Sequence, residues 1–158
     1  MTERDRLFET VEREVATILG RARAALQERA RLVHPELTGS AYLCLIALHE
    51  HDGGCPQSRL VEQLALDKGV VSRAVSDLER CGFVERTRDD QDGRAYLLHL
   101  TSAALVRLAE VAQQRRALFM GRFEEWTDAE VAELAALLRR YNAAFQSGRL
   151  VGNATSAG

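Results

Sequence analysis

Apolar residues recur at three- and four-residue steps over residues 3–31, at Phe8, Val11, Val15, Ile18 or Leu19, Ala22 and Leu26. That spacing predicts an amphipathic helix with a long apolar stripe. Pro35 closes the segment, because proline disfavours helical geometry in the residue before it. Thr38 is placed to cap a second helix, whose run AYLCLIAL at 41–48 has few polar interruptions and should be deeply buried. His51-Asp52-Gly53-Gly54 breaks that run. A short third helix over about 57–65 carries Leu60, Val61 and Leu64 on one face. Asp67 suits the N-cap of a fourth, from about 68 to 81, with Val71, Ala74, Val75 and Leu78 as its inner stripe. Gly82 follows where a left-handed residue is wanted.

After Gly82 the period changes from helical to alternating. Phe83–Thr87 reads as a strand, Asp92-Gly93 as a tight turn, and 95–100 as the return strand, with Tyr96, Leu98 and Leu100 at every second position. Thr101 or Ser102 then opens a long helix carrying Leu105, Leu108, Ala112, Phe119 and Phe123. The last helix starts with a capping box, Thr127-Asp128-Ala129-Glu130, flanked by Trp126 and Val131 as a hydrophobic staple. Leu134, Leu138, Tyr141 and Phe145 continue its stripe. Residues 148–158 have no periodicity and are expected to be a disordered tail. The whole is mainly α with a small β-wing. Short helix, tight turn, longer helix and hairpin form a winged helix-turn-helix lobe, spanning 38–101.

Composition narrows the picture only a little. The chain has 158 residues, 46% apolar and 28% charged, as in ordinary globular proteins. Its longest apolar run is too short to cross a bilayer, and MTERDRLF has no apolar core behind its charges, so the expected location is the cytoplasm, without a membrane partner. Three cysteines without framework spacing suit a reducing compartment. Net charge is −2, so a nucleic-acid partner must be argued from where the charges point and not from how many there are. No Ser/His/Asp set, phosphate loop or paired acids appears in a recognisable context, which argues against an enzyme.

With the inner stripe of the fourth helix set aside, Lys68, Gly69, Val70, Ser72, Arg73 and Ser76 are left to face outward. Lys68 and Arg73 can neutralise phosphates or reach guanine edges, the serines can donate to phosphate oxygens, and Val70 can meet a thymine methyl. Gly69 costs about 1 kcal/mol of helix propensity relative to alanine, acceptable where a backbone must approach another molecule closely. A solvated helix face could carry the same residues. The hairpin tips the balance, because Arg86 and Arg88 leave its first strand and Arg94 sits just past the turn. A long arginine on a narrow tip suits the minor groove, where negative potential is focused, and Asp92 can hold its guanidinium. Double-stranded DNA is therefore the expected partner.

The run LVEQLALDKGVVSRAVSDLERCGFVERTRDDQDGRAYLLHLT resembles the core of the MarR family of bacterial transcriptional regulators. The wing pattern Asp-x-Arg-x-x-x-Leu-x-Leu-Thr is met by Asp92, Arg94, Leu98, Leu100 and Thr101, and the VSR step by Val71, Ser72 and Arg73. The helix order extends the likeness to about residues 5–146. The resemblance implies a homodimer, with 3–34 and 102–147 as a helical dimerisation region. It also implies a repressor on a pseudo-palindromic operator, with Arg94 in the minor groove supported by Asp92, and release by a small aromatic or phenolic effector. No cofactor is implied.

The signal is less legible. Residues 3–31 contain no cysteine, unlike the peroxide-sensing branch; Cys44 and Cys81 read as packing residues and Cys55, in a Gly-Gly-Cys-Pro turn, as exposed. His49, His51 and Cys55 are ligand types, but two-residue spacing turns the histidines to different sides of a helix, so no metal site is expected. Arg21, Arg23, His34 and Tyr42 could line a cleft for an aromatic anion, yet no motif selects them, and the ligand site stays unassigned. The alternatives are a redox- or metal-responsive regulator of the same fold, or a winged-helix protein-interaction module.

Overall fold

The computed structural model describes residues 2–51, 53–89 and 96–148, with side chains described as far as 144. The elements run α1 (Glu3–Val33), α2 (Gly39–His49), β1 (Cys55–Pro56), α3 (Gln57–Leu64), α4 (Lys68–Arg80), β2 (Val84–Arg88), β3 (Tyr96–Leu100), α5 (Ser102–Gly121) and α6 (Asp128–Gly148). Among the described residues no helix is long and apolar enough to cross a membrane. The chain divides into two compact units, Met1–Gln114 and Arg115–Gly158.

The first unit is built around α2. Thr38 Oγ1 accepts from the Ala41 amide at 3.3 Å and starts the helix as expected. Ala41, Tyr42, Cys44, Leu45, Ala47 and Leu48 are all buried, and the helix packs against α1, α3, α4 and β3. A helix with no polar face is stable only when enclosed in this way. Gln27 of α1 ties its start down, donating to the Leu37 carbonyl at 3.2 Å and accepting from the Gly39 amide at 3.0 Å. α1 itself opens with a capping box between Thr2 and Asp5 and ends at His34, extended, before Pro35. Arg107 of α5 donates to the last carbonyls of α1, at Leu32 and Val33. Ala30 and Val33 of α1, and Ala104, Leu108 and Val111 of α5, complete the core of this unit.

The sheet has three strands in the order β1-β3-β2, where the sequence suggests only a two-stranded hairpin. Two residues are too few for a period to register, so Cys55-Pro56 looks like a turn. Cys55 pairs with Leu98, which shares its buried face, and Cys55 is therefore fully buried, not exposed as expected. Gly54, at φ +84°, makes this possible: a Cβ there would collide with the His99 imidazole. β2 and β3 pair Val84 with Leu100 through Arg88 with Tyr96, about one residue later than the strand bounds expected. Asp92 and Arg94 lie outside the described residues.

Gly82, at φ +74°, ends α4 in the left-handed geometry anticipated for it, with the Phe83 amide reaching back to the Leu78 carbonyl at 2.9 Å. Thr101 closes the wing at the same place. Its hydroxyl donates to the Gly82 carbonyl at 2.8 Å and accepts from the Ala104 amide at 3.2 Å, while its own amide donates to the Phe83 carbonyl at 3.1 Å.

In the second unit the expected capping box forms. Glu130 accepts from the Thr127 amide at 2.8 Å, and the Glu130 amide donates to the Thr127 hydroxyl at 3.3 Å. The backbone and hydroxyl of Thr127 hold the Glu130 carboxyl below its ordinary range. Phe123 lies in the turn after α5 and not on the helix, and its ring packs edge-on against Trp126 at 5.3 Å. Gly148 is the last residue of α6, and the rest of the expected tail, 149–158, is outside the described residues.

Two substitutions test this account. Thr101→Ala removes a helix cap and the tie to Gly82, and should cost about 1–2 kcal/mol in urea unfolding, with Thr101→Ser retaining most of the stability. Ala65, the C-cap of α3, sits at φ 50°, ψ 40°, left-handed without being glycine. That conformation costs about 1–2 kcal/mol, against a smaller loss from glycine's freer unfolded chain. Ala65→Gly should therefore stabilise by about 0.5–1 kcal/mol; a lower unfolding midpoint would show that the turn is not strained.

Candidate nucleic-acid interface

α3, the turn Ala65-Leu66-Asp67 and α4 form the helix-turn-helix. Leu60 is buried, and Val61, Leu64 and Leu66 pack beside it. The Asp67 carbonyl accepts from the Val70 and Val71 amides at 2.9 and 3.1 Å, which starts α4. Asp67 stands at the N-cap as expected, but its side chain makes no capping bond. Val71, Ala74, Val75 and Leu78 are the buried stripe, as their spacing requires.

The opposite face carries Lys68, Gly69, Ser72, Arg73 and Ser76, all exposed. Val70, expected outward, is half-buried. A Cβ on Gly69 would meet nothing within 4 Å, so no packing inside the chain calls for glycine there. The Ser76 hydroxyl donates to the Ser72 carbonyl at 3.0 Å, so its one proton serves its own helix.

Charge on this lobe is sorted by pairing. Arg80 binds Glu36 at 2.5 Å and Asp77 at 3.1 Å. Arg80's hydrogen bond and charge hold the Glu36 carboxyl below its usual range. Arg86 meets Glu79 through Nε at 2.5 Å and a terminal nitrogen at 3.0 Å, and reaches Gln57 Oε1 at 3.5 Å. It thus braces β2 against α4 and α3. The pairing with Glu79 needs tertiary structure, and nothing in the local sequence signals it. Among the described residues, Lys68, Arg73 and Arg88 have no carboxylate within 4.0 Å. Arg88 is exposed at the end of β2, opposite Tyr96.

The residues weighed for sensing are dispersed. Cys44 is buried, and burial pushes its thiol up to about 11. Burial also raises the Cys55 thiol, against the weaker pull of Arg59. His51 Nε2 pairs with Gln63 Oε1 at 3.0 Å, and His49, His51 and Cys55 do not gather into a ligand cluster. A recess of about 140 Å³ lies between the end of α2, β3 and the start of α5, lined by Leu48, His49, His51, His99, Leu100 and Leu105.

Known proteins share this arrangement. Residues 36–95 match the MarR family. The HTH-type transcriptional regulator TtmR of Methylorubrum extorquens (strain PA1) is 37% identical over 73 residues, 46% of this chain and 37% of its own length. This chain spans about half the length of the curated relatives it matches. A crystal structure of a MarR family transcription regulator superposes with a TM-score of 0.81 at 18% identity, over 96% of this chain and 97% of that one. A mutant of MarR from E. coli, crystallised in complex with operator DNA, superposes at 0.65 and 22% identity, over 84% and 93%. At such identities the two structures speak for the fold. Together with the MarR-family match over residues 36–95, they show that this chain has the winged-helix fold of MarR family regulators.

Proposed function

We propose that this protein is a sequence-specific DNA-binding repressor, acting as a homodimer on a pseudo-palindromic operator. The observation that carries the reading is the exposed face of α4, where Lys68 and Arg73 have no carboxylate partner among the described residues and flank a glycine with open space around it. Helix N-terminal residues of this kind meet base edges when the helix lies in the major groove. Arg88, and Arg94 beyond the described part of the wing, extend the contact to the backbone and minor groove. Arg86 is assigned to bracing the wing, since Glu79 already holds its guanidinium.

Dimerisation is supported by apolar side chains that the chain leaves uncovered. Leu7, Phe8, Val11, Ile18 and Leu19 of α1 are all about half exposed or more. Leu118, Phe119 and Met120 near the end of α5, and Leu137 and Leu138 of α6, are similarly open. Exposed apolar side chains repeated along a helix in this way mark an interface. Two lobes related by a two-fold then read half-sites about one helical turn, roughly 10 base pairs, apart. The effector proposed for this regulator is a small aromatic or phenolic molecule, and its site is left unassigned.

Binding-site selection from random DNA, followed by titration at several salt concentrations, tests the reading. Arg94→Ala changes two contacts in each dimer, each worth about 1–3 kcal/mol when well formed, so affinity should fall at least about tenfold. If Arg94 also neutralises phosphate, the slope of log K against log salt should flatten by about 1–2. Arg73→Ala should weaken binding comparably, and Ser76→Ala much less. Folded variants with unchanged affinity and slope would reduce these cations to a solvated surface. In sedimentation at micromolar concentration the protein should run as a dimer, and a species of monomer mass alone would refute the assembly.

A further inference from the structure

Three side chains of metal-ligand type meet where the segment joining α1 to α2 touches the end of α4. His34 Nδ1, a Glu36 carboxylate oxygen and Cys81 Sγ all lie within 4.8 Å of one another. His34 and Cys81 are half-buried and Glu36 is exposed, so the group opens to solvent on one side. The set is distinct from the α4 face assigned to DNA.

The hydrogen bonds show which atoms could ligate. The Glu36 amide donates to His34 Nδ1 at 3.3 Å, so that nitrogen carries a lone pair and the ring proton belongs on Nε2. Cys81 Sγ lies 3.6 Å from the same nitrogen, within reach of a sulfur hydrogen bond. Burial raises the Cys81 thiol, with Arg80 pulling the other way, which keeps the thiol proton on sulfur in the resting protein. The imidazole is further positioned by Phe83, edge-on at 6.1 Å.

Ligand distances can be compared directly. Tetrahedral zinc, with a Zn–S bond of about 2.3 Å and a Zn–N bond of about 2.0–2.1 Å, separates sulfur from nitrogen by about 3.6 Å. His34 and Cys81 already stand at that separation. A metal could sit between them with little movement of either side chain, taking the Nδ1 lone pair that now accepts from the Glu36 amide. One imidazole, one thiolate and one carboxylate form a borderline-soft set that favours zinc over magnesium or calcium. The thiolate and carboxylate also balance a charge of +2.

We propose that His34 Nδ1, Cys81 Sγ and the Glu36 carboxylate form a site for a zinc-type divalent cation, with water as fourth ligand. On binding, the Cys81 proton is released to solvent and the sulfur coordinates as thiolate. Glu36 turns from Arg80 to the metal, and Arg80 keeps Asp77. The bound ion clamps the end of α4 to the α1–α2 connection.

The test is titration of the reduced, full-length protein with zinc against a chromophoric chelator, paired with cobalt(II) as a spectroscopic probe. One equivalent per chain is expected, with a thiolate-to-cobalt charge-transfer band and the intense visible bands of a tetrahedral ion. Cys81→Ser should abolish the charge-transfer band, and His34→Gln should weaken zinc binding at least about tenfold. Arg80→Ala, at an exposed position, should instead tighten it, because the cation competing for Glu36 is gone. His49→Gln, outside the cluster, should change nothing. Circular dichroism confirms that each variant is folded. The site is ruled out if no metal binds at micromolar concentration. It is equally ruled out if binding and its charge-transfer band persist in folded Cys81→Ser, or if Arg80→Ala binds no tighter than the parent.

Discussion

The winged lobe depends on enclosing α2. With Ala41, Tyr42, Cys44, Leu45, Ala47 and Leu48 buried on nearly every side, this helix has no face to offer water. Each large side chain buried contributes about 1.5–3 kcal/mol, but only if neighbours approach from several directions. α1, α3, α4 and β3 provide those neighbours, and each is amphipathic because its other side meets solvent. The outward face of α4 is therefore a consequence of its inward one. Once Val71, Ala74, Val75 and Leu78 commit to α2 and its surroundings, Lys68, Ser72, Arg73 and Ser76 have only one direction left.

Enclosure alone would leave the wing free to pivot. Two polar ties prevent this, one at each side of the sheet's junction with α4. Thr101 joins the end of β3 to Gly82 and at the same time caps α5. Glu79 and Arg86 link the last turn of α4 to the middle of β2, with Gln57 of α3 also within reach of the guanidinium. An exposed pair of this kind contributes little stability in water, since screening and side-chain entropy offset most of its attraction. A bidentate arginine still fixes orientation, which the proposed DNA-reading role of the two elements would need.

Periodicity carried most of the fold in the sequence. The helices are long enough for three- and four-residue spacing to show, and Thr38, Gly82 and the Thr127–Glu130 box punctuate them through local bonds that local sequence can specify. What escaped depends on partners far along the chain. β1 is two residues long and exists only because Leu98 is beside it. Cys55 is buried by that same pairing. Arg86 looked like a third wing cation until Glu79 came into range, and the cluster of His34, Glu36 and Cys81 joins residues up to 47 positions apart. The outward face of α4 was legible because one helix presents it. The sorting of its charges was not, because that is a tertiary property.

That sorting also bears on how a chain of net charge −2 could serve the DNA partner proposed for it. Repulsion from DNA is set by charges near the phosphates, since ions screen the rest beyond about 8–10 Å. Of the carboxylates on or beside α4, Arg80 and Arg86 engage Glu36, Asp77 and Glu79, while Asp67 at the N-cap has no arginine or lysine within 4.0 Å among the described residues. Two arginines thus mask three carboxylates in the lobe. Among the cations without such partners in the described residues, Lys68 and Arg73 stand on α4 and Arg88 on β2, the elements proposed to face the duplex. A chain that is acidic overall can in this way present a basic edge. The same network places Arg80 where a metal ion at the proposed site of His34, Glu36 and Cys81 would compete with it, so occupancy of that site would change the balance of charge beside α4.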